Sequence, residues 1–470
     1  MDLNSEQAKV LEEMESGKNI FLTGSAGTGK TYIIQEFIRR HEKEVLVCAS
    51  TGIASHVIGG TTVHRAFNIT SEVCPHVGNK YCEALEGTHT VIIDEISMLR
   101  RDIFEYVAAH ILKMEKKTGR RIQVIACGDF LQLPPVIKKD IRAVLEEYYG
   151  SKRSGFYAFQ SPYWDKLGFE NIQLTQIVRQ RSGHFTELLS QVRVGQLSAV
   201  EQIFSMAKQN EYDANAITIC GKNDQVDMFN NTRLAEIKAT AYEFDAEMQG
   251  DVRPEEIVCA ERLVIKEGCR VMLIANLNGS NVNGMMGTVL SVNHKDPSKE
   301  RIRVKWDDGH TSSVPRYTWT INRYAAKYDG EDSLVERVEV GRITQFPLKV
   351  AYAMTVHKAQ GQTFDKINLV LGNTFSYGQL YVALSRVKSI YGIYIGQGLM
   401  VQKLADPEVL AFYKQAEFIT FLVEEKKKKK ESRGRKSTWN GQPTTLIRVP
   451  VCLKDALMEI AHRMLLEQVE

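Results

Sequence analysis

The sequence predicts an α/β fold with two doubly wound parallel sheets. Short apolar runs, of the kind that form strands buried on both faces, alternate with helical patterns along the chain. Polar residues cluster directly after these runs, as in doubly wound sheets that bind a ligand where the carboxyl ends of the strands meet. The first four runs with both features cover residues 20–22, 45–48, 91–93 and 124–127.

Composition places the chain among ordinary globular proteins. Its 470 residues are 43% hydrophobic and 25% charged, and this length suffices for about three domains. The sequence has no apolar run of about 18 residues or more, so we expect no transmembrane helix. The first residues lack the basic leader and apolar core of a signal peptide. We therefore expect a cytoplasmic protein if the source is bacterial, and a nuclear one only if it is eukaryotic.

The eight cysteines are scattered along the chain and include no C-x-x-C pair. Cys74, His76 and Cys82 lie close together, but no second pair of ligands completes a zinc site. We interpret the cysteines as reduced, intracellular thiols.

Charge is distributed unevenly between the body of the chain and its end. Residues 426–470 contain 11 Lys and Arg against 5 Asp and Glu, a local charge of +6. Because the whole chain carries +3, residues 1–425 carry about −3. A nucleic-acid partner for the body must therefore be argued from motifs rather than from bulk charge.

A glycine-rich loop connects the first predicted strand to a helical pattern at residues 32–38. In this strand–turn–helix context, backbone N–H groups and the helix N-terminus cradle phosphates, the lysine reaches the β- and γ-phosphates, and the hydroxyl that follows binds Mg²⁺. The sequence therefore predicts a nucleoside triphosphate site. Its loop consists of Gly24, Ser25, Ala26, Gly27, Thr28, Gly29, Lys30 and Thr31.

Gln7 lies upstream of this loop, at the start of a short helical pattern. A side-chain amide can pair with both edges of an adenine, so Gln7 is a candidate for reading the base. Taken alone, a surface glutamine is the simpler interpretation.

The strand at residues 91–93 ends in two carboxylates. Asp94 can hold Mg²⁺ while Glu95 polarises the attacking water. The strand at residues 124–127 leads into Gly128–Val136, in which Gln132 is a candidate sensor of the γ-phosphate and Pro134 begins a rigid Pro-Pro step.

Small hydroxyl and glycine residues follow the second strand in two stretches, 49–54 and 59–64. Such donors at the mouth of a strand suit phosphate or sugar contacts on a polymer. In isolation, both stretches are more often plain loops.

A second α/β unit is predicted from strands at 216–220, near 348–352 and at 367–371. It contains no second G-K-T loop, so we expect it to face the nucleotide of the first unit across a cleft. Between these strands, residues 287–292 and 302–306 read as strands, and Asp308-Gly309 is a hairpin turn signal. A small β-barrel centred on residues 287–340 is therefore predicted.

Seven blocks, in this order, resemble the PIF-type (petite integration frequency) DNA helicases of superfamily 1B. The resemblance covers residues 3 to about 400, and RecD-like helicases share several of the blocks. The stretch from Phe67 to Thr90, where members of the family usually have the strand-separating wedge, is shorter than in many members. The blocks are GSAGTGKT, STGIAS, VIIDEISML, GDFLQLPPV, LTQIVRQ, AMTVHKAQGQTF and QLYVALSRVKS.

This resemblance implies ATP- and Mg²⁺-dependent movement in the 5′-to-3′ direction on single-stranded DNA. It implies Gln7 at adenine, Lys30, Thr31 and Gly361 at the nucleotide, Asp94 on Mg²⁺ and Glu95 as the base. Gln132 would sense the γ-phosphate, and Arg179 and Arg386 would close on it. DNA contacts would fall on Thr51, Thr62, His64, Pro134, His357 and Lys358.

The resemblance also implies a domain plan of two RecA-like lobes. The plan comprises lobe 1 (1–190, with a wedge insertion at about 68–90), lobe 2 in two parts (191–286 and 341–425), an SH3-like barrel (287–340), a basic linker (426–443) and a ribbon-helix-like module for DNA binding or dimerisation (444–470).

From these observations the sequence predicts a monomeric DNA motor that acts on single-stranded, forked or structured DNA and does not bind membranes. Its basic tail would bind DNA or self-associate. Two alternatives remain open, namely a non-translocating, ATP-dependent DNA-binding regulator and a RecD-like recombination helicase.

Overall fold

A computed structural model of the chain shows the predicted α/β architecture with parallel sheets. The residues that the structure describes are 3–69, 73, 82–152, 155–178, 183–277, 281–294, 300–329, 332–421, 438–439 and 442–443.

The helices are α1 (Ser5–Glu15), α2 (Lys30–Arg40), α3 (Gly52–Val57), α4 (Val63–Ala66), α5 (Arg101–Thr118), α6 (Lys139–Tyr149), α7 (Pro162–Leu167), α8 (Gly183–Arg193), α9 (Leu197–Met206), α10 (Asn223–Ala235), α11 (Val356–Ala359), α12 (Gln379–Leu384) and α13 (Pro407–Gln415).

The strands are β1 (Ile20–Gly24), β2 (Val45–Ala49), β3 (Thr61–Thr62), β4 (Thr90–Asp94), β5 (Gln123–Cys127), β6 (Glu170–Leu174), β7 (Lys208–Gln209), β8 (Ile217–Cys220), β9 (Ala241–Asp245), β10 (Glu247–Gly250), β11 (Arg262–Lys266), β12 (Arg270–Leu273), β13 (Met286–Asn293), β14 (Arg301–Trp306), β15 (Thr311–Val314), β16 (Tyr317–Asp329), β17 (Asp332–Gln345), β18 (Leu348–Val350), β19 (Ala353–Thr355), β20 (Ile367–Val370), β21 (Ile393–Ile395), β22 (Phe418–Ile419), β23 (Thr438–Trp439) and β24 (Gln442–Pro443).

The first lobe is built on a seven-stranded sheet in the order β22-β6-β1-β5-β4-β2-β3, and every pair in it is parallel. Strands β1, β2, β4 and β5 are buried along their whole length, which explains why each reads as an uninterrupted apolar run. Because all strands run in one direction, the phosphate loop and the carboxylate pair emerge at the same edge.

The second lobe contains a five-stranded parallel sheet in the order β19-β8-β20-β21-β7. The sequence predicted one strand of this sheet near residues 348–352, and this prediction is wrong. Leu348–Val350 pairs antiparallel with β12 of another sheet, and the strand that joins the parallel sheet is Ala353–Thr355. The apolar residues on both sides of Ala351 made the two short strands look like one.

The β-rich insertion has an antiparallel five-stranded sheet in the order β15-β14-β13-β12-β18. Side chains of strands β9 and β11 pack into the same hydrophobic core as this sheet. The two strands and the hairpin expected from the sequence are present, since β14 and β15 pair across the Asp308-Gly309 turn. The insertion is longer than residues 287–340, because its strands extend from Ala241 to Val350.

The segment after residue 404 returns to the first lobe, although the domain plan assigned residues 341–425 to the second. Helix α13 packs into the first-lobe core through Val409, and β22 adds the edge strand beside β6. Phe412 stacks on Phe159 with ring centroids 4.3 Å apart. No sequence pattern signals this return, because it depends on which sheet edge is free.

Two compact units divide the chain after Val423. In the second unit, Thr438–Trp439 pairs antiparallel with Gln442–Pro443. Several sequence predictions lie outside the described residues, namely Arg179, most of the wedge stretch and the whole of 444–470. Within the described residues, no helix combines the length and apolar character needed to cross a bilayer.

Candidate functional site

The phosphate loop leaves β1 and enters α2 at the edge of the first sheet. Gly24, Gly27 and Gly29 have φ angles of 151°, 85° and 87°, a backbone path that L side chains rarely adopt. Lys30 Nζ donates to the carbonyl oxygens of Gly24 (2.7 Å) and Ser25 (3.2 Å), so its charge lies over the loop. The remaining members, Ala26, Thr28 and Thr31, belong to the same turn and the first residues of α2.

Helix α1 places Gln7 against this loop. Gln7 Nε2 donates to the Thr28 carbonyl oxygen (3.3 Å), and its Oε1 accepts from the Asn4 N–H in a capping box. The adjacent Glu6, which the sequence did not single out, is fully buried and accepts from Thr175 N, Thr175 Oγ1 and Gln176 N. Glu6 thereby fixes the segment that leads towards Arg179.

Asp94 and Glu95 lie at the carboxyl end of β4. Glu95 is a non-glycine residue with φ of 51°, a strained conformation of the kind that clusters at functional sites. Its backbone N–H donates to Asp94 Oδ1 (2.9 Å). Burial, and then the charge of Asp94, raise the pKa of Glu95 to about 7, although Lys30 and Arg386 act in the opposite direction. A carboxyl group with this pKa can exchange a proton near neutral pH.

Asp94 and Thr31 fit a Mg²⁺ ion. Burial raises the pKa of Asp94, and the Cys127 thiol and the charge of Lys30 oppose that effect. Mg²⁺ keeps several waters and takes one or two carboxylates together with substrate phosphates, so one carboxylate and one hydroxyl suffice. Among the described residues, no group of three or more His, Cys, Asp or Glu side chains could hold a metal.

Gln132 belongs to a buried polar network at the junction of the lobes. Its Nε2 donates to Asp129 Oδ2 (3.3 Å), and Arg193 Nε and Nη2 donate to the two Asp129 oxygens at 2.9 and 2.8 Å. Burial alone would raise the pKa of Asp129, but Arg193 holds it below its usual value. Tyr413 Oη joins Asp129 to Thr23. This network links the strand ends of the first sheet to α8 of the second lobe.

The second lobe contacts the phosphate loop through α12. Tyr381 Oη accepts from the Ala26 N–H at 2.8 Å. Gly378, which caps α12 with φ of 70°, lies so close to the Gln132 backbone that an added Cβ would come within 2.1 Å of the Gln132 carbonyl oxygen. Arg386 is buried, and its Nε donates to the Val382 carbonyl oxygen (2.8 Å). Its charge lowers the pKa of Glu95.

Gln360 reaches from the second lobe to the carboxylate pair. Its Nε2 donates to Glu95 Oε2 at 3.0 Å. Gln360 lies directly after α11, in a turn that also contains Gly361, whose φ is 78°. The sequence did not single out Gln360, although it lies inside one of the matched blocks.

The candidate DNA residues lie on short helices at strand ends. Thr51 and Thr62 cap α3 and α4, accepting from Ala54 N and Arg65 N at 3.2 Å each. His64 lies in α4, while His357 and Lys358 lie in α11. Pro134 is half-buried in the loop after Gln132.

The sequence analysis did not single out two charged residues in this region, Arg65 of α4 and Lys349 of β18. Arg65 is 3% exposed and bonds Glu256 and Asp251 of the β-rich insertion, with Nη1 2.7 Å from Asp251 Oδ2. Burial, and then the charge of Lys358, lower the pKa of Lys349 to about 8. Neither residue stands in a recognisable pattern, so only the fold reveals them.

A phosphate loop, a carboxylate pair and a facing second parallel sheet define a two-lobed phosphate-loop nucleoside triphosphatase. A family model described as PIF1-like helicase matches residues 2–203. The ATP-dependent DNA helicase Pif1 of Bdellovibrio bacteriovorus is 32% identical over 439 residues, which cover 89% of this chain and 93% of the relative. This chain therefore belongs to the PIF1-like helicase family. The enzyme class expected from the motifs, an ATP-dependent DNA helicase, is confirmed at the level of the family.

A longer relative and two solved structures extend the comparison. The human ATP-dependent DNA helicase PIF1 is 33% identical over 437 residues, 87% of this chain but 63% of the human protein, so the chain spans less than two thirds of that relative. Unliganded Pif1 from Bacteroides sp. is 31% identical, with a TM-score of 0.75, over 88% of this chain and 97% of that chain. Bacteroides Pif1 in complex with ADP-AlF3 and single-stranded DNA is 32% identical with a TM-score of 0.61, at the same coverage.

Proposed function

We propose that this protein is an ATP-dependent helicase that moves 5′-to-3′ along single-stranded DNA and separates duplex or structured DNA during replication, repair, recombination or genome maintenance. The observation that carries the proposal is the cleft: the phosphate loop and Glu95 come from one lobe, and Tyr381 and Gln360 of the other lobe bond directly to them. An equilibrium between open and closed lobes is what a nucleotide-driven motor requires. The structure of Bacteroides Pif1, which is 32% identical to this chain, contains ADP-AlF3 and single-stranded DNA in one complex.

The chemistry proposed for the cleft is hydrolysis of the γ-phosphate of ATP. Water attacks the γ-phosphorus, its proton passes to Glu95, and the bond to the β-phosphate breaks with its electron pair leaving on ADP. Lys30 and the loop amides bind the phosphates, Gln132 contacts the γ-phosphate, and Gln7 contacts the adenine. Thr31 and Asp94 would hold Mg²⁺, which neutralises charge on the β- and γ-phosphates when bound.

Two arginines are proposed to stabilise the transition state. Arg386 belongs to the second lobe, and its charge lowers the pKa of Glu95 in the first, which supports a role for it at the γ-phosphate. Arg179 is proposed for the same task, although it lies outside the described residues. The segment before it is anchored by Glu6 of α1, and the Val178 N–H donates to the Gly27 carbonyl oxygen of the phosphate loop at 2.9 Å. Charge that develops during transfer is stabilised best by donors fixed in advance.

Movement along DNA is proposed to follow from alternating grip by the two lobes. Thr51, Thr62, His64 and Pro134 would hold the strand on the first lobe, and the α11 residues His357 and Lys358 on the second. Contacts to the sugar-phosphate backbone are independent of sequence and weaken with salt.

The peripheral parts are proposed to assist the motor. The β-rich insertion would be the SH3-like barrel implied by the resemblance, and residues 444–470 a ribbon-helix-like module joined by the basic linker. In the rival reading the protein is a regulator that binds DNA without translocating. A RecD-like recombination helicase is disfavoured by the GDFLQLPPV block, which is of the PIF type.

A strand-displacement assay separates these readings. The full chain is mixed with ATP, Mg²⁺ and duplexes that carry either a 5′ or a 3′ single-stranded overhang. We expect displacement from the 5′-tailed duplex only, and none with ADP. DNA-stimulated hydrolysis without displacement from either duplex would favour the regulator, and displacement from the 3′-tailed duplex alone would overturn the polarity.

A further inference from the structure

We propose that Gln360 is a positioning residue that couples the DNA-holding helix of the second lobe to the hydrolytic carboxylate of the first. The inference rests on the proposed function and deepens it. It assigns a role to a side chain that connects two proposed parts of the machine, the DNA grip and the attacking water.

The first step of the argument is the contact itself. Gln360 Nε2 donates to Glu95 Oε2 at 3.0 Å, and the two residues belong to different lobes. Such a bond forms only when the cleft is closed at this point. The Glu95 backbone is held in a strained conformation with φ of 51°, and the bond from Gln360 fixes one oxygen of its carboxylate.

The second step concerns the other end of the same amide. Within the described part of the chain, Gln360 Oε1 is buried and has no hydrogen-bond partner. A buried acceptor without a partner is costly, and in native proteins it usually marks a place for water, an ion or substrate. Gln362 Oε1 shares this feature among the described residues, but only Gln360 also bonds Glu95. Next to a general base, this acceptor is suited to receive a hydrogen bond from the attacking water. Glu95 and Gln360 would then hold the same water from two directions.

The third step is the position of Gln360 in the second lobe. It follows α11 directly, two residues after Lys358. On its other side the turn is held by Arg386, whose Nη1 lies 3.5 Å from the Ala359 carbonyl oxygen and 3.4 Å from that of Gln362. The turn therefore touches the proposed DNA grip, the proposed arginine finger and the base, so a displacement of α11 by DNA moves Gln360 relative to Glu95.

The test is Gln360→Met in the full chain, because Met keeps the length of the side chain and removes both polar atoms. ATP turnover is measured with and without saturating oligothymidylate, together with KM for ATP and Kd for the oligonucleotide. We expect kcat with DNA to fall at least about tenfold, since small misplacements of catalytic groups cost this much or more. KM for ATP and Kd for DNA should each change less than about twofold.

The matched control is Gln362→Met, the same substitution in the same turn. The Gln362 side chain also has a buried oxygen without a described partner but makes no described contact with Glu95, so the pair of variants isolates the bond to Glu95. We expect its kcat to stay within about twofold of wild type, which excludes a general disturbance of the turn. A thermal melt of each variant checks folding. Wild-type kcat in Gln360→Met, or a rise in KM or Kd that accounts for its whole defect, overturns the inference. Failure of the wild-type chain to hydrolyse ATP at all would instead overturn the proposed function.

Discussion

At the scale of single residues, neighbouring groups shift the pKa of Glu95 in opposite directions. Burial and the neighbouring Asp94 favour its neutral form, whereas Lys30, Arg386 and the bond from Gln360 favour the carboxylate. A base must be ionised before it can take a proton from water, so in the proposed mechanism Lys30 and Arg386 would help to activate Glu95. A Mg²⁺ ion on Asp94 would add to them by cancelling the negative charge beside Glu95.

Glu95→Gln removes the proposed proton acceptor while it keeps the shape of the side chain. We expect ATP binding to be retained and DNA-stimulated hydrolysis to fall by about 10²- to 10⁴-fold, the usual contribution of general base catalysis. The measurements are nucleotide affinity and kcat in the presence of single-stranded DNA. Lys30→Ala is the comparison, since it should weaken phosphate binding as well as turnover. Hydrolysis by Glu95→Gln at the wild-type rate would show that another group is the base.

Lys349 is a second residue whose surroundings disfavour its charged form. Its folded-state pKa of about 8 lies below the ordinary value of 10.5. Below pH 8 the lysine is charged in both states, and the folded state then carries the full cost of holding the charge. That cost disappears as the pH rises from 8 towards 10.5, where the neutral form takes over in the unfolded state as well.

Lys349→Met should therefore raise the free energy of unfolding at pH 7 by about 1–3 kcal/mol. The gain should shrink above pH 8, and denaturant melts at several pH values measure it. Lys349 is a cation that costs stability and lies near the charge of Lys358, an arrangement that favours a contact with a DNA phosphate. We therefore expect Lys349→Met to bind single-stranded DNA more weakly, with a shallower salt dependence. Lys358→Met, at an exposed position, should weaken DNA binding without the gain in stability. Unchanged DNA affinity in Lys349→Met would remove Lys349 from the DNA path.

At the scale of elements, the segment that returns to the first lobe ties the two lobes together. Phe412 of α13 packs against Phe159, Phe130 and Phe21, with centroids 4.3, 5.8 and 6.2 Å away. The neighbouring Tyr413 bonds Thr23, directly before the phosphate loop. A helix that enters the first core after the chain has built the second lobe limits how far the lobes can separate.

Phe412→Ala should cost about 3 kcal/mol, because it removes an aromatic ring from a packed cluster and leaves a cavity. The measurement is the free energy of unfolding of the motor by denaturant. Phe375, which is 45% exposed, provides the control, and Phe375→Ala should cost less than about 1 kcal/mol. Equal losses from the two substitutions would mean that α13 is not docked on the first lobe.

Some elements could be predicted from the sequence and others could not. The buried strands β1, β2, β4 and β5 were predicted because parallel strands covered on both faces leave continuous apolar runs. The phosphate loop and the carboxylate pair were predicted because each has a fixed spacing to its strand.

Three features could not be predicted from local patterns. The short strands before and after Ala351 belong to different sheets, and the apolar pattern alone does not divide them. The return of α13 and the bond between Gln360 and Glu95 join residues that are hundreds of positions apart in the chain. Such pairings are decided by free sheet edges and lobe packing, which have no periodic signature.

At the scale of the whole molecule, the body and the tail have opposite charge. Residues 1–425 carry about −3 and residues 426–470 carry +6, and the compact unit of the body ends at Val423. Strands β6 and β22 close the first sheet before that point. Removal of the tail therefore leaves the sheets, the cleft and both proposed DNA grips complete.

A chain that ends at residue 425 should keep its DNA-stimulated ATPase activity within about twofold of the full chain. It should bind single-stranded DNA more weakly, with a shallower slope of log affinity against log salt, because several phosphate contacts are lost. A tethered second site raises the local concentration of DNA contacts, so the truncated motor should also leave long tracks sooner. Affinity titrations at several salt concentrations and the length of duplex unwound per binding event measure these effects.

The same truncation decides what the tail does. A full-length variant in which Lys426–Lys430 are changed to Gln serves as the control, since it keeps the length of the chain and removes five positive charges. If the tail is a DNA tether, this variant should lose most of the affinity that the truncation loses, because the attraction is to phosphates and each cation contributes to the salt slope. Equal affinity of the truncated and full chains at every salt concentration would mean that the tail does not hold DNA. The remaining role for residues 444–470 would then be protein contact or dimerisation. Dimerisation would appear as a concentration-dependent change in the mass of the full chain that the truncated chain lacks.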